Sequence, residues 1–208
     1  MPHEYNYMKN FFSIVIVALG TTILFGQNKF NGFYEPYIKL DYDVSKNFSQ
    51  EFILEERTIW YDDESFKFDV KQIDLAHFSK LKLSDKNAVA VGIQYRFREN
   101  FDKNKENELR FTEEYTYTTK PKATEYEHRV RAEQRITSSE TSHRFRYNFA
   151  VNRSFNGTEI KKGNAYIIGD LETLLTVAKT SKPEYEQRIG AGVGFAVSDL
   201  MKIELVAE

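Results

Sequence analysis

Cysteine is absent from the 208 residues, so neither a disulfide framework nor a thiolate metal site can form. Histidine occurs four times, once at position 3, which leaves a polyhistidine metal centre poorly supplied. Neither sign of charge is in excess: 29 Lys and Arg stand against 31 Asp and Glu, a formal net charge of −2. A nucleic-acid-binding chain carries a basic surplus or stripe, so nucleic acid is not an expected partner. Long hydrophobic runs are also lacking. The run from Phe11 to Phe25, uncharged and largely apolar, has about fifteen residues against the ~20 that a transmembrane helix needs. Beyond Gln27 no 3.6-residue apolar stripe is sustained, which removes the case for amphipathic helices. Rings are plentiful instead, with 17 Phe, 13 Tyr and one Trp. Mean hydropathy is −0.56, yet disordered chains are poor in aromatic and β-branched residues, so the chain is expected to fold.

The N-terminus reads as a processing signal. Lys9 and Asn10 precede the uncharged run, which contains Ile14, Val15, Ile16, Val17, Ala18 and Leu19 and ends before Gly26 and Gln27. A positive start, a short apolar stretch and a small residue before a polar one mark a secretory signal peptide. Residues 1–26 are therefore expected to be removed, with Met8 as the true initiator and residues 27–208 as one domain.

In that domain apolar residues recur at every second position, the period of a strand with two unlike faces. Val89, Val91, Ile93, Tyr95 and Phe97 oppose Ala90, Gly92, Gln94, Arg96 and Arg98. Leu109, Phe111, Tyr115 and Tyr117 oppose Glu108, Arg110, Thr112, Glu114 and Thr116, with Glu113 the one charge on the apolar side. His143, Phe145, Tyr147, Phe149 and Val151 oppose Arg144, Arg146, Asn148, Ala150 and Asn152. Between these runs, Arg129, Arg131, Glu133 and Arg135 share one face. Turn residues separate the runs, as at Ser45–Asn47, Ser84–Asn87, Lys120–Thr124 and Ser138–Thr141, and Pro121 and Pro183 fall in the gaps. The result is a meander of about ten strands.

Alternation fits a soluble sandwich as well as a membrane barrel. Three features favour the barrel. The runs last about 12 to 18 residues, more than the ~9 to 11 needed to cross a bilayer and far more than the ~5 or 6 usual in soluble strands. Opposite charges share the polar face in mid-strand, as Glu55 with Arg57, Glu108 with Arg110, Arg131 with Glu133 and Glu186 with Arg188. Facing into a closed barrel, such residues can pair across the lumen. Aromatics gather near run ends, at Tyr34, Tyr37, Trp60, Tyr61, Tyr115, Tyr117, Tyr147, Phe155 and Tyr185, depths that suit interfacial girdles. The expected fold is all-β, an antiparallel up-and-down transmembrane β-barrel of the cell outer membrane, with about ten strands here and about twelve when complete.

The stretches KQIDLAHFSKLKLSDKNAVAVGIQYRF, NELRFTEEY, EHRVRAEQRI, HRFRYN and YEQRIGAGVGF carry a resemblance as well. They resemble an uncharacterised family of secreted Gram-negative proteins, domain-of-unknown-function family twenty-four-ninety, grouped with outer-membrane β-barrels. The similarity runs from about Tyr34 onward, and its strongest element is the run from His128 to Arg135. It implies a place in the Gram-negative envelope, with outer-membrane lipid and the barrel-assembly machinery as partners. Similar proteins continue beyond the position of Glu208, and the last run, Met201 to Ala207, lacks the terminal aromatic usual in such barrels, so the domain is expected to be truncated.

The candidate site is a charge network on the polar face: Glu55, Arg57, Glu108, Arg110, Glu114, Arg129, Arg131, Glu133, Arg135, Arg144, Arg146, Glu172 and Arg188. Arg forks match carboxylate and phosphate, so one reading is an anion-attracting wall. The favoured reading is a self-satisfying network that plugs a narrow lumen. Gly190 to Gly194 (GAGVG) imitates a phosphate loop, but its glycines alternate on one strand face and are better read as making room for long neighbours. Asp102, Asn104, Glu106 and Glu113 echo a calcium loop without its glycine and read as a solvated loop. His77, His128 and His143 with Ser79, Ser139 or Ser142 could supply a membrane-embedded hydrolase, but no GxSxG elbow is present. No metal, cofactor or catalytic residue is expected. The expected function is a structural or small-solute role in the outer membrane, the rivals being a secreted lipocalin-like ligand carrier, apolar inside and charged outside, and a barrel-embedded lipid-modifying enzyme.

Overall fold

The computed structural model describes residues 31–62, 65–157, 159–198 and 202–208, and their regular structure is entirely β. The expected signal peptide, residues 1–26, lies outside the described residues. Eleven strands form one antiparallel sheet. They are β1 (Asn31–Tyr34), β2 (Tyr37–Ser45), β3 (Phe48–Asp62), β4 (Ser65–Lys82), β5 (Asn87–Phe97), β6 (Glu108–Thr119), β7 (Thr124–Ile136), β8 (Thr141–Ser154), β9 (Ala165–Ala178), β10 (Glu184–Ala196) and β11 (Lys202–Ala207). From β3 to β11 each strand lies beside its neighbour in sequence, while β1 and β2 pair with different stretches of β3. Pro36 separates β1 from β2: it has no amide for the ladder, though its carbonyl still accepts from Glu56 N at 3.0 Å.

The described chain falls into two compact units. The smaller holds β1, β3 from Thr58 and β4 up to Val70. There Asn31 faces Asp62 and Tyr34 faces Thr58, with a register shift between Gly32 and Phe33. The rings of Trp60, Tyr61 and Phe66 lie 5.3 to 5.9 Å apart, and Lys67 donates to Asp62 at 3.0 Å.

The larger unit, residues 35–57 and 71–208, carries β2, the remainder of β3 and β4, and β5 to β11. In a flat sheet the nine steps from β2 to β11 would span ~43 Å at ~4.8 Å per strand. Instead the Tyr37 hydroxyl on β2 donates to Glu204 on β11 at 3.1 Å. The Arg131 guanidinium on β7 lies 5.4 Å from the centre of the Phe78 ring on β4. This unit is therefore curled until its edge strands meet through side chains.

Burial in the curled unit inverts the usual order. Glu133 and Asp74 are 2 % exposed, whereas Ile189 is 73 % and Val193 53 % exposed. Glycines allow the concave face to close up. A Cβ at Gly194 would meet the Tyr166 ring, one at Gly190 the Asp170 carboxylate and one at Gly92 the Phe78 ring. The space-making expected of GAGVG is thus what β10 does for β9. The longest connections, 98–107 and 155–164, open at opposite ends, because three strands lie between them.

Candidate functional site

Strand alternation sends every second residue to the concave face, and antiparallel register then decides which charges meet. Glu114 on β6 lies opposite Arg131 on β7, and Glu172 on β9 opposite Arg188 on β10. Opposed residues have Cβ atoms ~5 Å apart, close enough for long side chains to join.

Three buried carboxylates organise the network. Glu133 sits among guanidiniums from three strands: Arg146 at 3.4 Å, Arg110 at 3.7 Å and Arg131 at 3.9 Å. Neither of its oxygens accepts a hydrogen bond, so the surrounding cations hold it by field alone. Glu108 accepts from Arg110 Nη2 at 2.6 Å and from Arg135 Nε at 3.0 Å. Asp74 accepts from Arg96 Nη2 at 2.5 Å, and from Gln94 at 2.8 Å. Glu114 takes two donors of Arg131, at 2.5 and 2.9 Å. Glu172 lies 3.5 Å from Arg146 and 3.9 Å from Arg188, and Arg188 is also 2.9 Å from Glu186. Arg144 is 3.7 Å from Glu186 and donates to Thr176 at 2.8 Å.

Ten of the thirteen residues singled out from the sequence therefore belong to one connected set of ion pairs: Glu108, Arg110, Glu114, Arg131, Glu133, Arg135, Arg144, Arg146, Glu172 and Arg188. Arg57 pairs with Glu35 at 2.5 Å. Glu55 lies opposite Tyr37, and Arg129 between Thr116 and Asn148; neither forms an ion pair among the described residues. Asp74, Arg96, Arg98, Glu186 and the Glu51–Lys80 pair (2.5 Å) also belong to this face. Their signal was the same alternation, visible in Arg96 and Arg98 and in the Gln72–Asp74 spacing.

At one end the network opens into a cavity of about 300 Å³ lined by seven arginines and one carboxylate, Glu108. Arg144 and Arg146 come from β8; Arg57, Arg96, Arg135 and Arg188 come from β3, β5, β7 and β10, and Arg98 follows β5 directly. The turns at this end are clipped together. Glu106 accepts from Ser139 N at 3.0 Å and Ser139 Oγ at 2.8 Å, and Glu140 accepts from the amide and hydroxyl of Thr180. Hydrogen bonds from the turn hydroxyls hold the Glu106 carboxyl down at about 2. In the same loop Asp102 caps Asn104 N at 2.9 Å and Asn107 accepts from Arg98 N and Glu99 N, so these side chains brace the loop itself.

The histidines serve the convex face. His77 Nε2 and Ser79 Oγ both reach Gln50 Oε1, at 2.6 and 2.9 Å, and His128 Nδ1 meets the Tyr147 hydroxyl at 2.8 Å. Among the described residues no histidine is hydrogen-bonded to a serine. On that face, too, an open apolar furrow of about 550 Å³ runs between Ile38, Leu40, Phe52, Leu54, Leu75 and Ile93.

The sheet thus places charged residues on its concave face and apolar residues on its convex face. The family model described as "Protein of unknown function (DUF2490)" matches residues 36–207. The chain belongs to this family. No curated protein and no solved structure matches it. The matched DUF2490 region takes in β2 to β11 and all ten residues of the connected ion-pair set.

Proposed function

We propose that this DUF2490 chain is an outer-membrane β-barrel protein, its convex face in lipid and its concave face closed by ion pairs, with a structural or small-solute role in the envelope. The observation that carries the reading is the inverted burial: Ile189, Val193, Leu205 and Phe145 are exposed while Asp74, Glu108, Arg110 and Glu133 are buried. In water that arrangement is costly, since exposed apolar area is unfavourable by ~25 cal/mol per Å². In a bilayer it is the favourable one, because the hydrocarbon receives the apolar face while backbone groups between neighbouring strands pair within the sheet.

Strand length agrees with this placement. β7 and β10 have 13 residues each. At ~3.3 Å per residue and a tilt of ~40° such a strand rises ~33 Å, enough for a ~30 Å hydrocarbon core. Tyr37, Tyr42, Trp60, Phe155 and Tyr185 are exposed near strand ends, where rings suit the headgroup layer. A lipocalin-like carrier needs the opposite polarity, apolar within and charged without. The reading assigns no catalytic centre, since His77 and His128 are engaged by an amide and a phenol instead of a nucleophile.

Electrophoresis of the full-length protein from isolated outer membranes, with and without boiling, tests the reading. A closed barrel retained in the membrane fraction shifts its mobility on heating. Recovery from the soluble periplasm with unchanged mobility would overturn the proposal.

A further inference from the structure

We propose that the arginine-lined cavity binds a small polyanion carrying at least two phosphate or carboxylate groups. This names the solute class left open above; it rests on the concave face alone, so it stands or falls separately from the lipid placement.

Three observations converge on it. The cavity wall holds seven guanidiniums and only one carboxylate. Most of the acids that balance those arginines do not line the cavity: Asp74 pairs with Arg96, Glu35 with Arg57, Glu133 and Glu172 with Arg146, and Glu186 and Glu208 with Arg188, while Glu108, which does line it, pairs with Arg135. Each guanidinium carries five donors, and a fork committed to one carboxylate leaves donors on its other edge. Arg96, for example, spends Nε and Nη2 on Asp74.

Arg98 is the least engaged of the seven. Its nearest acid is Glu108 at 4.0 Å, and its guanidinium donates no hydrogen bond among the described residues. Arg144 gives one hydrogen bond, to the neutral Thr176 hydroxyl, and stands 3.7 Å from Glu186. Like charges gathered around a common space raise one another's energy, and an anion placed among them relieves that repulsion. Guanidinium forks also match the planar or tetrahedral oxygens of carboxylate and phosphate.

Size and position fit the same ligand. A volume of about 300 Å³ lies at the lower end of small-molecule pockets and equals ~10 waters at ~30 Å³ each. Arg98 follows β5, Glu108 begins β6 and Arg135 nearly ends β7, so the cavity lies beside the clipped turns and not at mid-strand.

The test is titration calorimetry of the folded full-length protein in detergent with inorganic pyrophosphate, inorganic phosphate and citrate. Pyrophosphate and citrate should bind with one-to-one stoichiometry and at least about tenfold more tightly than monophosphate, as expected when a second charge-assisted pair is added. Arg98→Gln and Arg144→Gln should each weaken pyrophosphate about tenfold, whereas Arg129→Gln, on the same face outside the cavity, should change it less than about twofold. Heat-modifiability and far-UV circular dichroism verify that each variant folds. Cardiolipin, whose headgroup carries two phosphates, added to the micelle distinguishes two sources of the same chemistry: competition with pyrophosphate assigns the site to a lipid headgroup, and its absence to a free solute. Failure of the folded protein to bind millimolar pyrophosphate or citrate, or equal binding by Arg98→Gln and Arg144→Gln, overturns the proposal.

Discussion

Replacing Glu133 by Gln removes the one carboxylate shared by Arg110, Arg131 and Arg146. At an effective dielectric of ~20, unit charges 3.4 to 3.9 Å apart attract by ~4 to 5 kcal/mol each before desolvation is subtracted. Burying the carboxylate costs several kcal/mol, so the intact pairs contribute little net stability. Breaking them is another matter, because three guanidiniums remain in place. Two keep strong alternatives: Arg131 holds Glu114 at 2.5 Å and Arg110 holds Glu108 at 2.6 Å. Arg146 keeps only Glu172 at 3.5 Å. The expected loss is therefore near the lower end of the ~3 to 5 kcal/mol typical of a broken buried pair. With a urea slope of ~1 to 3 kcal/mol per molar, the unfolding midpoint should fall by ~1 to 3 M. The assay is urea unfolding of the reconstituted protein, read by gel mobility and by the fluorescence of Trp60. Glu133→Gln with Arg146→Gln should recover part of the loss, giving a coupling energy of ~1 kcal/mol or more. A midpoint unchanged by Glu133→Gln, or strictly additive losses in the double variant, would refute the network.

Other consequences can be checked in the same preparation. Gly194→Val drives a side chain into the buried Tyr166 ring and should destabilise by ~2 kcal/mol or more, while Gly169→Ala, with open space beside it, should be near neutral by urea midpoint. Glu106, depressed to about 2 from an ordinary 4.5, makes a contribution that is fully present above pH ~4.5 and is lost as pH falls through about 2. The protection factor of the Ser139 amide, its exchange relative to the intrinsic rate at each pH, should therefore fall across that window, and Glu106→Gln should abolish the dependence. Ile189→Lys, on the convex face, should cost ~2 to 4 kcal/mol in refolding into vesicles, and Ile189→Leu almost nothing.

Face assignment was legible wherever alternation is strict. β6, β7 and β8 follow it residue by residue, and Glu113 stands exposed on the apolar side as its position requires. Partner choice was not legible, because it depends on register. Arg131 was paired from sequence with Glu133, two residues along the strand and thus ~6.6 Å away at the backbone. The structure gives it Glu114, directly opposite on β6, at 2.5 Å and leaves Glu133 at 3.9 Å. Glu108 with Arg110 and Glu186 with Arg188 do pair within their strands, at 2.6 and 2.9 Å. The arginine cavity was hidden for a related reason. Arg57, Arg98 and Arg188 are far apart in sequence, and only the curl of the sheet brings β3, β5 and β10 around one space. Pro36, too, breaks the first run in a way that hydropathy alone does not register.

Spin-label scanning of β8 decides whether the convex face lies in lipid or in water. Because the chain has no cysteine, each single substitution carries a unique label. Labels at 145 to 151 in vesicles are read for collision with oxygen, which concentrates in lipid, and with a water-soluble nickel chelate. A period of two is expected, with oxygen accessibility high at Phe145, Tyr147, Phe149 and Val151 and low at Arg146, Asn148 and Ala150. The opposite phase, or uniform exposure to the chelate along the strand, would contradict it.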